Sequence, residues 1–472
     1  MSPTVRPKPQ KITATEVSSA CTSTEAFRAL VADGTFFLDS ALTMENDLTR
    51  YSFLGCRPFM VLRSKGADIT IQNSSGIVKK HGNPFDQLRR LLAEHRSDDF
   101  QLPGIPFTGG AVGYLSYDLC HFVERLPSTT VDDIGFPDMY FGFYDKILVY
   151  DHHENKCLLV GRDVDVQEDG DYLAAALKKG TVPTANTRPP EGAHKVEIRS
   201  NFTRDAYLDA VRRTKEYIAQ GDVYQVNISQ RFEAELTVPP HELYMRLRAR
   251  NPAPFSAYIQ FDDKAVVSSS PERFLRLRSG GPGESDRVQT RPIKGTRPRG
   301  KNAAADTDLR QELMNSPKDN AELTMIVDLE RNDIGRVCNY GSVMVTSKNF
   351  LETHPTVFHL VATIEGELHP RYDAIDLLRA TFPGGSITGT PKIRAMEIID
   401  ELEPTRRNLY TGAIGYIGFN GNMDLNIAIR TFMVKGSTAF FQAGGGIIAD
   451  SDPEQEYQET LDKARALMES VA

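Results

Sequence analysis

Gln289-Thr290-Arg291-Pro292-Ile293-Lys294-Gly295-Thr296-Arg297-Pro298-Arg299 is the stretch around which the chain is organised. One lysine stands between a rigid Pro-Ile and a flexible Gly-Thr, with arginines on both sides. Proline fixes φ and glycine lets a ligand approach the backbone closely. The spacing therefore predicts Lys294 on a short extended segment beside open main chain. Alone, such a run is a solvated basic turn, and its surroundings decide whether it is more.

The chain has 472 residues, 40% hydrophobic and 25% charged, which suits a globular protein with one large core or several ordinary ones. A net charge of -8 argues against nucleic acid as a partner, because phosphate contacts need an excess of Lys and Arg. No apolar run approaches the roughly 20 residues that span a bilayer, so no membrane role is expected. Residues 1–15 are polar and read as a loose tail without a signal-peptide core. The five cysteines are scattered and include no C-x-x-C, as in a reduced, cytoplasmic protein.

Short apolar runs up to about residue 175, such as Phe36-Phe37-Leu38 and Ile147-Leu148-Val149-Tyr150, read as strands. Helices are expected around Phe85–Glu94 and Asp171–Lys179, and Gly180–Pro190 has the composition of a linker. This divides the chain into an N-terminal region, 1–190, and a second region, 191–472. In the second, Thr203 caps a helix that ends at Gly221, and strands follow over Val223–Phe232, Ala257–Phe261 and Ala265–Ser270. Pro317 suits the first turn of a helix over Lys318–Leu329. His359 falls among apolar neighbours in a strand, and Phe382–Lys392 makes a Gly-rich entry to a helix over Lys392–Leu402. That entry lacks the G-K-[ST] of a nucleotide-binding loop. Asn420-Gly421-Asn422 turns a hairpin whose second strand, Met423–Met433, includes Arg430. Pro453 opens the last helix.

Two acid pairs stand out. Asp319 and Glu322 lie at i and i+3 of one helix, and Glu456 and Glu459 do so on another, with Lys463 on the same face. Carboxylates without histidine or cysteine beside them suit a hard cation held by oxygen, Mg²⁺. A strand arginine and the bare backbone of Gly444-Gly445-Gly446 suit a carboxylate on the ligand. Together they point to Mg²⁺-assisted chemistry on a small molecule with several carboxylates.

The motifs SPERF (270–274), IKGTRPRG (293–300), AELTMIVDLERNDIGRV (321–337), FPGGSITGTPKIRAMEIIDELEP (382–404) and GGGIIADSDPEQEYQETLDK (444–463) resemble those of the chorismate-utilising enzymes, in order and spacing. The resemblance implies an α+β fold: two large antiparallel β-sheets packed as a sandwich with helices outside, in which 1–190 resembles the family's N-terminal region. It implies Glu322 and Glu459 as Mg²⁺ ligands, with Asp319 and Glu456 nearby or acting through water. Tyr410, Arg430 and the Gly446 amide, assisted by Lys463, would hold the enolpyruvyl carboxylate of chorismate. Gly295, Thr296 and Ser386 match substrate-contacting positions, Glu272 the general acid at the C4 hydroxyl, and His359 a histidine conspicuous in anthranilate-forming members.

Two positions sort the family. Water-adding members carry a lysine base where this chain has Gln225, and anthranilate-forming members read P-I-A-G-T where this chain reads Pro292-Ile293-Lys294-Gly295-Thr296. Lys294 is the mark of the branch that aminates chorismate at C4, giving 4-amino-4-deoxychorismate on the way to 4-aminobenzoate and folate. Attack by a neutral Lys294 at C2, followed by ammonia at C4, explains the position of the nitrogen. Arg291 or Arg297, or burial, is expected to lower the lysine's pKa. No G-x-C-x-G glutaminase motif occurs in the sequence, so a separate glutamine amidotransferase subunit is expected to deliver the ammonia. The alternatives are an anthranilate-forming enzyme, with an effector-binding or purely structural role for Leu38-Asp39-Ser40, and a non-catalytic relative.

Overall fold

In the computed structural model the described residues are 12–17, 21–42, 47–162, 173, 196–281, 283–355 and 357–472. The expected helix over 171–179 and the linker 180–190 fall outside them, apart from Leu173. The tail expected over 1–15 is in part structured, because Ile12–Glu16 is a strand paired antiparallel with Lys156–Arg162.

The frame is two antiparallel sheets of 12 strands each among the described residues. Both cross the chain from end to end. In the first, Phe36–Asp39 pairs with Phe255–Phe261, placing Phe37 opposite Tyr258. In the second, Ala413–Gly418 pairs with Gly110–Leu115, placing Ile414 opposite Tyr114. Both sheets thus draw strands from either side of residue 190.

The alternation of the strands turns one face of each sheet inward. Tyr140 of the second sheet stacks on Phe261 of the first at 4.1 Å between ring centroids. Phe107 stacks on Tyr416 at 4.4 Å. Each such ring contributes about 1.5–3 kcal/mol when fully buried. The outer faces carry the helices. Arg204–Gln220 and Lys392–Leu402 share a core with the Gln225–Glu235 strand, and Pro240–Arg250 and Pro453–Val471 pack on the same sheet. Pro317–Gly335 packs against the second sheet through Leu323 and Val327.

Local signals explain the helix ends. Thr203 accepts from the Ala206 amide and Gly221 closes that helix at φ 83°. Ser316 caps Pro317–Gly335 through the Asp319 amide, with Pro317 in the first turn as expected. Asp452 caps Pro453–Val471.

The strand expected over Met423–Met433 is two strands, Met423–Ile427 in the second sheet and Thr431–Lys435 in the first. Between them Ala428, Ile429 and Arg430 carry the chain from one sheet to the other. Arg430 takes the left-handed conformation, φ 53°, at this crossing.

Candidate active site

The lysine segment Ile293–Pro298 is an edge strand of the second sheet, paired with Val357–Glu367. Its register shifts between Lys294 and Thr296. Gly295 makes the shift possible, at φ 77°, where a Cβ would meet Leu313 Cδ1 at 2.8 Å and Asp319 Cβ at 3.0 Å. The bulge aims Lys294 toward the Gly385–Ile387 turn, and Nζ donates to the Ser386 carbonyl at 3.1 Å.

That turn is held rigid from behind. Asn227 Nδ2 donates to the Ile387 carbonyl at 3.2 Å and Arg407 does so at 3.1 Å. Arg407 is itself buried against Glu403, which satisfies its charge. Lys392 donates to the Thr381 and Pro383 carbonyls and pairs with Asp333.

Glu272 sits beside the lysine. It is buried, and the Ile293 amide approaches its Oε1 at 3.4 Å. Burial raises its pKa above the usual carboxylate range, against the pull of Ser386 and Lys294. Lys294 moves the other way. Its side chain as a whole is only half-buried, but its amine end is desolvated, and that burial lowers its pKa. Glu322 opposes the lowering and Lys463 adds to it. The expected helpers are engaged elsewhere: Arg291 pairs with Glu352, and Arg297 with Glu312 and Asp319. The cation near the amine is Lys463.

Two helices bring the acids into one field. Burial raises the pKa of Glu322, and Glu459 of the facing helix adds to the rise. Burial also raises Glu456, which accepts from Ser451 Oγ at 2.6 Å. Burial pushes Glu459 up as well, but Lys463 at 2.6 Å overrides it and the pKa falls. Gly445 lies beneath them, where a Cβ would stand 2.8 Å from Glu456 Oε2 and 3.6 Å from Glu459 Oε1. Asp319 does not join this group; its carboxylate pairs with Arg297 at 3.0 Å. Among the described residues no set of three His, Cys, Asp or Glu side chains is close enough to hold a metal ion as they stand.

Contacts connect several of the remaining candidates. Lys463 donates to the Gly444 carbonyl at 2.9 Å, and Arg430 donates to the Lys463 carbonyl. Burial lowers the Arg430 pKa while neighbouring Tyr410 opposes this. Gly446 is covered by Gln225, whose Nε2 would lie 2.0 Å from a Cβ there, so a side chain at 446 would displace that amide. Gln225 Oε1 is buried without a hydrogen-bond partner among the described residues, while the Ser386 side chain acts on Glu272. Thr296 Oγ1 lies 3.0 Å from His359 Nδ1. Burial, with His354 beside it, lowers the His359 pKa to about 3, so the ring is neutral at pH 7.

The family follows from the whole chain. The chorismate binding enzyme family matches residues 40–469.

The chain belongs to the chorismate-binding enzyme family.

Aminodeoxychorismate synthase component 1 of Bacillus subtilis is 40% identical over 432 residues, 89% of each chain. Anthranilate synthase component 1 of Thermus thermophilus is 42% identical, covering 86% of this chain and 87% of its own. The crystal structure of anthranilate synthase component I from Streptococcus pneumoniae superimposes with a TM-score of 0.77 at 33% identity, covering 90% of this chain and 94% of that one. The architecture is accordingly that of the chorismate-utilising enzymes, and overall similarity does not choose between the two activities.

Sequence reasoning passed over two groups in this chorismate-binding fold. Lys318 stands four residues before Glu322, a spacing visible in the text, and its ammonium reaches the acids. Glu330 is a buried acid held by Thr290 at 2.7 Å, pushed up to about 8 chiefly by burial. A separate cavity of about 650 Å³ lies between the sheets, bordered by Leu38, Ser40, Arg276 and Tyr416. Asp39 at its edge is spent on Ser52, Tyr244 and Arg248. Glu272 and Arg273 are neighbours in sequence, but Arg273 faces this cavity and pairs there with Asp424.

Proposed function

We propose that this chain is the chorismate-aminating component of an aminodeoxychorismate synthase, converting chorismate and ammonia to 4-amino-4-deoxychorismate through a covalent adduct on Lys294. The observation that carries this reading is the position of the lysine: inside the cleft, on the Ser386 carbonyl, beside Glu272, with its pKa lowered by burial. A lysine that merely replaced alanine on an edge strand would extend into water.

The residues divide the work. The neutral Lys294 amine adds at C2 of the ring, the ring double bond shifts, and the C4–O bond breaks. Glu272 gives its proton to the departing hydroxide, forming water. Its raised pKa keeps that proton available near neutral pH. Ammonia then attacks C4, the double bond returns, and the C2–N bond to lysine breaks. The proton shed by the new ammonium goes back to the Glu272 carboxylate, restoring acid and amine. Splitting one displacement into two is what places nitrogen on C4.

The pocket around these atoms fits a ligand with several carboxylates. Arg430, Tyr410 and the Gly446 backbone, with Lys463, would hold the enolpyruvyl carboxylate. Gln225 Oε1 is a buried polar atom that a bound ligand would complete. Gln225 takes no proton, which disfavours activation of water. Mg²⁺ fits the acids: Glu322 and Glu459, with Glu456 behind, are oxygen donors that repel one another and are partly offset by lysines. Asp319 would join only by leaving Arg297. When bound, the cation would supply counter-charge for the ring carboxylate. The name "component 1" of the relatives supports a partner subunit, here a glutamine amidotransferase delivering ammonia.

Mass spectrometry of the protein with chorismate and Mg²⁺, without ammonia, tests the reading. A substrate-derived mass on the Lys294 peptide is expected. The anthranilate-forming alternative is favoured by the Thr296–His359 contact and by relatives of equal identity. Release of pyruvate and a fluorescent aromatic product from chorismate and ammonium would establish it instead.

A further inference from the structure

Glu272 and Arg273 stand at a break in the ladder of their strand. Arg273 lies opposite Arg291 and Arg276 opposite Gln289, three steps against two. On the other side Arg273 lies opposite Asn426 and Leu275 opposite Leu425, two steps against one. The Arg273–Arg278 strand therefore carries an extra residue relative to both neighbours. A bulge re-aims the side chains beside it, and side-chain contacts must then hold the new direction. The two side chains part here. Glu272 enters the cleft, where its Oε1 lies 3.4 Å from the Ile293 amide, while Arg273 borders the cavity between the sheets. That arginine is immobilised. It is buried, forks onto Asp424 through Nε at 2.9 Å and Nη2 at 2.8 Å, and donates through Nη1 to Gln289 at 2.9 Å. Its guanidinium carbon stands 5.0 Å from the centre of the Phe255 ring. Gln289 is fixed in turn, donating to Glu365 at 2.6 Å.

We propose that Arg273, clamped by Asp424 and Gln289, is the positioning residue of Glu272, setting from the cavity side the direction in which the acid meets the substrate. This rests on the reading of Glu272 as the general acid and extends it to residues outside the cleft. A two-bond fork onto a carboxylate fixes a guanidinium in orientation as well as in distance. With Arg273 held, the adjoining main chain cannot turn without pulling a buried charge off its partner, which is costly. The anchors come from both neighbouring strands: Asp424 from Met423–Ile427, and Gln289 from Arg287–Arg291, which leads to Lys294. The acid and the amine are thus tied to one fixed point. A general acid works only within hydrogen-bond reach of the atom it protonates, and a displacement of about 1 Å can cost about 100-fold in rate.

The test is a double-mutant cycle on the full chain with chorismate, ammonium and Mg²⁺. Loss of chorismate is followed, so the readout does not depend on which carbon receives nitrogen. Asp424→Asn keeps the shape but removes the charge and one acceptor of the fork. Corrected for the folded fraction, its kcat should be about ten-fold lower, with KM for chorismate within about two-fold of wild type. Arg273→Lys, which cannot fork, should do the same. In the Glu272→Gln background no acid is left to aim, and Asp424→Asn should slow turnover by less than about two-fold. Equal losses in the two backgrounds would overturn the proposal and leave Glu272 as the acid. So would a loss confined to KM, or no loss in folded Asp424→Asn. Unchanged turnover in Glu272→Gln alone, or none in wild type, would overturn both. Gln289→Met, which frees one hydrogen bond and keeps the ion pair, replaces Asp424→Asn in the cycle if that variant does not fold.

Discussion

At the scale of single residues, opposite shifts in two neighbours set the chemistry. Burial lowers Lys294 and raises Glu272, so both are moved toward the uncharged forms that the first step needs. Glu272→Gln keeps the shape and removes the proton; kcat should fall by about 10²–10⁴-fold while chorismate still binds, measured by steady-state kinetics and equilibrium binding. Lys294→Ala should abolish the adduct in the mass spectrum and slow amination by a comparable factor, with an unchanged melting curve. His359 makes a prediction about stability. Its folded pKa of about 3 lies below the ordinary 6.5, so the unfolded chain takes up a proton that the folded chain refuses. The stability it contributes is complete above pH 6.5 and is lost as pH falls from there toward 3, at about 1.4 kcal/mol per unit. Urea unfolding at pH 7.5 and 5 should show His359→Gln losing about 2 kcal/mol less than wild type between the two. The identities of these residues were legible in the sequence because each sits in a motif with a chemical reason. Their partners were not. Arg291 and Arg297 stand nearest Lys294 in the text, but each finds an acid on another element, and the cation that reaches the amine arrives from a helix more than 160 residues later.

At the scale of elements, the decisive feature is the bulge at Gly295. A strand without it would continue its two-residue alternation past Lys294, with no register shift to Thr296. Gly295→Ala imposes a left-handed conformation on a residue with a Cβ and drives that atom into Leu313 and Asp319. We expect a loss of about 2 kcal/mol in urea unfolding and a larger loss of activity than the folded fraction explains, because the amine is re-aimed. Helix starts and stops were readable in advance at Thr203, Gly221 and Pro317, since such signals act locally. The break at Ala428–Arg430 was not. Apolar residues run through it without interruption, and the change of sheet is imposed by the two partners, the Arg273–Arg278 strand on one side and Lys264–Ser270 on the other. Periodicity reports which face is buried, not against which sheet.

At the scale of the molecule, motif order pointed to an α+β enzyme of two antiparallel sheets, and the sandwich agrees. Which strands lie together was beyond reach, because pairing across hundreds of residues leaves no mark on either strand alone. The sheets join the two regions: removing 1–190 would strip the Phe255–Phe261 strand of its Phe36–Asp39 partner and the Ala413–Gly418 strand of Gly110–Leu115. Residues 191–472 produced alone should therefore show no cooperative melting transition by calorimetry and should regain one when residues 1–190 are supplied. The pairing of Phe37 with Tyr258 also has a consequence at the ribosome. At about 5–20 residues per second, the earlier strand emerges some 10–40 s before its neighbour exists. During that interval an apolar edge waits with nothing to zip against. Newborn copies of this protein should accordingly be clients of holding chaperones, released only once the Phe255–Phe261 strand, just past the middle of the chain, has been made.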